Sequence, residues 1–118
     1  MNYFSDNNEW KWLLENGFDW DTILPLYYSK YPTEEGFEDT KDALVFFQEL
    51  LSATGEWSGT SLVERSLELE KEGAGQIIDG KTIPGSALSG LYQEAKELDI
   101  FGISISKKYG GLELPISL

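Results

Sequence analysis

The sequence predicts an all-α fold: a small helical bundle with an aromatic-rich N-terminal arm and an extended C-terminal loop. Three observations carry this. Phe37, Thr40, Leu44, Phe47, Leu51 and Thr54 recur at alternating spacings of three and four, the period of one helix face. Ala87, Leu88, Leu91, Tyr92, Ala95 and Leu98 repeat that pattern further on. Aromatic side chains crowd the first 31 residues, from Tyr3 to Tyr31, among them Trp10, Trp12, Phe18, Trp20, Tyr27 and Tyr28.

The arm, residues 1–31, holds two short helical stretches. Trp10, Leu13 and Leu14 sit at helical spacing, and Gly17 ends that piece after Asn16. Asp19 or Asp21 caps a second piece through Ile23 and Leu24, with Pro25 close behind. Short helices gain little from propensity, so these must dock on a larger body to persist. Residues 32–118 form the helical domain. Pro32 to Gly36 is a turn into the long helix. There Ala43, Phe46, Leu50 and Ala53 widen the apolar stripe, while Glu38, Asp39 and Asp42 place negative charge in the first turns. Gly55 is the expected stop, and Glu56-Trp57-Ser58-Gly59 the turn after it.

Ser61 and Glu64 have the spacing of a capping box opening a helix that presents Leu62, Val63 and Leu67 and ends at Gly73 and Gly75. Asp79-Gly80 suits a two-residue hairpin turn, but an isolated hairpin that short is marginal. The segment is therefore expected to be a loop crossing the domain. Ser86 is the expected N-cap of the final helix.

Composition narrows the chemistry. With 118 residues, 41% of them hydrophobic, the chain suffices for one domain with a real core. A net charge of −12 opposes binding to nucleic acid or to an anionic membrane surface. There is no cysteine and no histidine, which removes thiolate chemistry, the commonest metal ligand and a Ser-His-Asp triad. The N-terminus lacks a basic, apolar leader, and the longest apolar run, Ala43 to Phe47, is far too short for a membrane span; the expected compartment is the cytoplasm.

Carboxylates are dense at Glu34, Glu35, Glu38 and Asp39 and again at Glu68, Glu70 and Glu72. They fall on helix starts and polar faces, where solvation accounts for them, and no EF-hand spacing is present. No catalytic, cofactor-binding or metal-binding residue is expected in this chain.

The most informative stretch is Phe101 to Pro115, FGISISKKYGGLELP. Ile103 and Ile105 alternate with Ser104 and Ser106, Lys107 and Lys108 follow, and Tyr109-Gly110-Gly111 permits a sharp bend before Leu112 and Leu114. This stretch resembles a signature of the acyl-CoA dehydrogenases, whose N-terminal helical domain carries a similar Tyr-Gly-Gly loop. Ser106 and Glu113 depart from that pattern, standing where the family often has Pro and Gly. Asp79-Gly80 with Pro84, the helix before Asp99, and Gly55-Glu56 with Gly59 follow the family's order. The stretch from Trp12 to Pro25 is similar to the extension of one branch.

The resemblance covers about residues 10 to 115 and implies the N-terminal domain of an FAD-dependent enzyme that oxidises acyl-CoA thioesters. It implies a fragment or truncated product without the catalytic glutamate or the flavin-binding segments, which match no position here. FAD, acyl-CoA and a homodimer or tetramer partner are expected of the parent protein. The chain itself would hold no flavin, be inactive, wall one side of the acyl pocket and be prone to self-association. Lys107 and Lys108 read as solvated lysines, with a CoA phosphate as the other reading. Ile103, Ile105, Leu112, Leu114, Ile116 and Leu118 are expected to pack on the helices or on a second copy. The competing reading is a stand-alone acidic helical interaction module that docks a partner through its aromatic arm.

Overall fold

A computed structural model describes residues 1–34, 36–116 and 118. The chain is mostly helical with one two-stranded sheet, so the strictly all-α expectation is corrected at one place. In chain order the elements are α1 (Asn8–Trp12), α2 (Trp20–Ile23), α3 (Thr40–Trp57), α4 (Val63–Glu72), β1 (Gly75–Ile78), β2 (Lys81–Pro84) and α5 (Ser86–Glu97). A π-helical turn, Leu13–Gly17, extends α1, and a 3-10 turn, Leu24–Leu26, extends α2. Further 3-10 turns follow α5 at Ile100–Gly102 and Lys107–Tyr109.

The arm supplies much of the core. Leu14, Trp20, Leu24 and Tyr28 bury together with Phe37 just before α3, Ala43 and Phe47 of α3 and Leu114 of the C-terminal loop. Leu24, Ala43 and Phe47 are 0% exposed. Aromatic rings tile this centre. Trp20 and Phe47 lie 5.7 Å apart between centroids, Phe37 meets Phe47 edge-on at 6.3 Å, and Tyr28 meets Phe37 at 5.7 Å. Such tilted and edge-on pairs add about 0.5–1.5 kcal/mol each beyond area burial. The indole N–H of Trp20 donates to the Leu14 carbonyl at 2.6 Å, so its polar edge is satisfied inside the core. Asp19 caps α2, its carboxylate accepting from the Thr22 hydroxyl at 2.7 Å and the Thr22 N–H at 3.3 Å.

Helix α3 starts three residues later than the apolar pattern, because Asp39 is its N-cap and accepts from the Asp42 N–H at 2.8 Å. Asp42 answers by accepting from the Glu38 N–H at 3.1 Å, which closes a reciprocal cap. The expected stop at Gly55 is not taken. The chain stays helical through Gly55, passes a π-turn at Ser58–Leu62 and continues into α4, so neither the turn at 56–59 nor a capping box at Ser61 exists. The run from Thr40 to Glu72 therefore spans about 50 Å at about 1.5 Å per residue. It ends at Gly73, whose φ of +73° is the left-handed conformation glycine tolerates.

The expected crossing loop is instead an antiparallel hairpin, with Gln76 opposite Ile83 and Ile77 opposite Thr82. Asp79 and Gly80 both take positive φ, +50° and +73°, as a type I′ turn requires. Every residue of both strands is exposed. On α4 the anticipated buried face is open too: Val63 and Leu67 are exposed, Leu67 at 64%. Helix α5 keeps its stripe, with Ala87, Leu91 and Ala95 buried, though Tyr92 faces outward against Phe101.

The molecule measures 53 × 34 × 18 Å, and its radius of gyration of 17.5 Å exceeds the about 13–14 Å of a compact chain this long. The long helical run sets that length. Among the described residues no helix is long and apolar enough to cross a membrane.

Candidate functional site

Three places combine shape with chemistry: the bend at Tyr109-Gly110-Gly111, a cleft under the N-terminal residues, and two carboxylates that bind α5 to the rest.

The bend begins where α5 ends. Asp99 turns the chain at φ +55°, and the 3-10 turn Ile100–Gly102 redirects it. Ser106 caps the next turn by accepting from the Lys108 N–H at 3.4 Å. Gly110 takes φ +86°. At Gly111 a Cβ would run into the Ile105 carbonyl, so the close return of the chain requires glycine there. The returning strand of loop is hydrogen-bonded to the outgoing one. Leu112 N–H donates to Gly102 O, Glu113 N–H to Ile105 O and Leu114 N–H to Ile103 O, each at 2.9 Å. Leu114 and Pro115 are buried, while Ile103, Leu112 and Leu118 pack against the same core. Ile105 and Ile116 stay exposed, so the expected cover holds for only part of this set.

Beside the bend lies a shallow cavity of about 290 Å³, lined by Lys96, Asp99, Phe101, Ile105 and Tyr109 with the glycines. Its acid-base groups are a lysine, a carboxylate and a phenol, and its one cation is Lys96. Lys108 reaches back over the Tyr109 ring, 5.4 Å from the centroid.

The second place is made by Met1–Asn7. Asn2 donates to the Ser52 carbonyl at 2.9 Å and accepts from the Phe4 and Ser5 N–H groups at 3.0 and 2.9 Å. Tyr3 N–H donates to the Gly55 carbonyl at 3.1 Å. A Cβ at Gly55 would lie 2.5 Å from Asn2 Oδ1 and 2.7 Å from Phe4 N, and one at Gly59 would overlap the Met1 carbonyl. These glycines are therefore seats for the N-terminal strap. Between strap, arm and α3 is a cleft of about 360 Å³, lined mostly by apolar and aromatic side chains.

The third place is electrostatic. Glu72, at the end of α4, accepts from Ser86 N–H at 2.8 Å, Ser86 Oγ at 2.9 Å and Ala87 N–H at 2.9 Å. It thus caps α5 from another helix. The N-cap residue is Gly85 rather than the expected Ser86, and a Cβ at Gly85 would crowd the Glu72 carboxylate at 2.8 Å. The Ala87 and Ser86 hydrogen bonds hold the Glu72 carboxyl below its ordinary range. Glu94 accepts from Trp57 Nε1 at 3.0 Å and pairs with Arg65 at 2.5 Å. The Ser61 hydroxyl, then Trp57 and Arg65, lower its pKa against the opposing effect of desolvation.

Other acidic residues take local roles. Asp39 caps α3, Glu34 lines a small recess with Lys30 and Tyr28, Glu68 and Glu70 are exposed, and Glu35 lies outside the described residues. Among the described residues no group of His, Cys, Asp or Glu is placed to hold a metal ion. Sequence patterns missed Glu72, Glu94 and the strap because each acts across a long sequence separation. The close pair Gly55 and Gly59, four apart on one helix face, was the available signal for the strap.

No protein-family model, curated protein or solved structure matches the chain.

Proposed function

We propose that the chain is the N-terminal helical domain of an acyl-CoA dehydrogenase-like flavoenzyme, acting as a scaffold and pocket wall. The observation that supports this most is the segment Phe101–Pro115. The residues that resemble the family's loop fold as a hydrogen-bonded bend seated on a helical core, with Leu114 and Pro115 buried. Around it Tyr92, Phe101, Ile105 and Tyr109 are exposed, an apolar flank of the kind another domain covers.

The residues present do not fit FAD. The cavity beside the bend offers Lys96 as its cation and no helix N-terminus for a pyrophosphate. No step of thioester oxidation is therefore assigned to this chain. In this reading the flavin, the catalytic glutamate and the subunit partner belong to a parent enzyme in the cytoplasm, and the chain positions the acyl group without touching its protons.

The elongated shape and open apolar faces also suit a stand-alone acidic interaction module. The coding sequence downstream separates the two. Continuation in frame into a β-rich stretch and then a long helical region with a candidate glutamate is the expected result. A stop codon with no flavoenzyme reading frame following would overturn the enzyme reading. If a remainder exists, mixing it with this chain should restore thioester oxidation that neither piece shows alone.

A further inference from the structure

We infer that the cleft beneath the N-terminal strap is a binding site for an uncharged aliphatic chain, with the strap as its removable wall. This goes beyond the flavoenzyme proposal and does not depend on it. The volume, about 360 Å³, lies in the range of small-ligand sites. Its floor is the buried Leu14 and the bare backbone of Gly55, and Leu51 and Phe18 form the sides. The rim carries Trp10 and Tyr3, both large apolar groups left exposed, Trp10 at 55%. Trp10 and Leu13 also line an adjoining open groove with Asn8, Glu9 and Trp12, so the recess continues outward past one indole. That shape suits a chain whose far end leaves toward solvent.

Polarity fixes the ligand class. The hydroxyl of Thr54 is already committed to the Leu50 carbonyl at 2.9 Å. Among the described residues no lysine or arginine lines the cleft, and the protein carries a net charge of −12, so an anionic head would find no partner there. The same charge opposes a second copy of this chain as the occupant. The strap is held by one backbone bond, from Tyr3 N–H to the Gly55 carbonyl, and by the side-chain bonds of Asn2 to Ser52. Besides these bonds, Phe4 packs on the edge of the aromatic core, so opening the strap lifts one ring and leaves the buried Trp20, Phe37 and Phe47 in place.

The test uses the purified chain and N-phenyl-1-naphthylamine, a neutral dye that brightens in apolar sites. Its emission should rise in one saturable phase, and decan-1-ol should displace it while decanoate at neutral pH competes at least about tenfold more weakly. Thr54→Phe, which fills the cleft, should weaken dye binding by about tenfold or more with the fold retained by circular dichroism. Ile77→Ser on the exposed hairpin should leave binding unchanged. Should Thr54→Phe fail to fold, Leu51→Phe is the second filling variant. Dye binding lost in Ile77→Ser but kept in the filled variant, equal competition by decanoate, or no saturable binding would each overturn the inference.

Discussion

The backbone N–H of Tyr3 donates to the carbonyl of Gly55 at 3.1 Å, joining the N-terminus to the last turn of α3. The contact exists because Gly55 has no side chain: a Cβ there would sit 2.7 Å from Phe4 N. Two opposing effects follow for Gly55→Ala. In an isolated helix alanine is favoured over glycine by about 1 kcal/mol. Against the strap the methyl group forces a displacement costing about 1–3 kcal/mol. The expected outcome is net destabilisation in the intact chain and net stabilisation once residues 1–6 are deleted. Urea titration of the four combinations measures this sign reversal.

Leu114 makes the C-terminal loop part of the core. Leu114→Ala should cost about 2–5 kcal/mol, as large-to-small changes at buried leucines do. Ile116→Ala, two residues on and 83% exposed, should stay within about 0.5 kcal/mol. Equal effects at both sites in thermal or urea unfolding would show that the loop does not seat as described.

Glu72 caps α5 from α4, so Glu72→Gln should lower the melting temperature through that helix and Ser86→Ala should do so less. The backbone donors of Ser86 and Ala87 remain in the second variant but lose their acceptor charge in the first. Thermal unfolding followed at 222 nm ranks the two.

Acid should loosen α5. Glu72 and Glu94 both have pKa values lowered from an ordinary 4.5. A carboxylate lowered on folding contributes stability in full above its ordinary value, and that contribution fades as the pH falls through the lowered one. Stability should therefore be flat near neutrality and decline below about pH 5. Glu94→Gln should flatten the decline and shift Trp57 emission, because the indole N–H donates to that carboxylate. An unaltered pH profile in a double Glu72→Gln, Glu94→Gln variant would contradict the assignment.

At the hairpin, Gly80→Val should weaken the ribbon because Gly80 holds φ +73°, whereas Asp79→Asn should be tolerated, asparagine being a good residue for positive φ. Amide chemical shifts of Gln76 and Ile83 report the pairing.

Local rules read much of this fold correctly. The three-four repeat marked α3 and α5, the pair Asp19 and Asp21 marked the start of α2 with Asp19 proving to be the cap, and Tyr109-Gly110-Gly111 marked the bend. They failed where a distant partner decides the outcome. Gly55 looked like a helix stop, yet its role is to receive a strap from more than fifty positions upstream. Ser86 looked like a cap, but Glu72 supplies the acceptor. Asp79-Gly80 did encode a tight turn, and only the low stability expected of so short a ribbon argued against it. On α4, Val63 and Leu67 have helical spacing but stay exposed.

A slab 18 Å thick leaves few amides remote from water. Deuterium uptake should therefore be uneven along one continuous rod: slowest around Ala43 and Phe47, where the arm wraps it, and fast from Val63 onward, where one side lies bare. The helix that looks uniform in outline would then exchange as two halves, parted at the π-turn between Ser58 and Leu62.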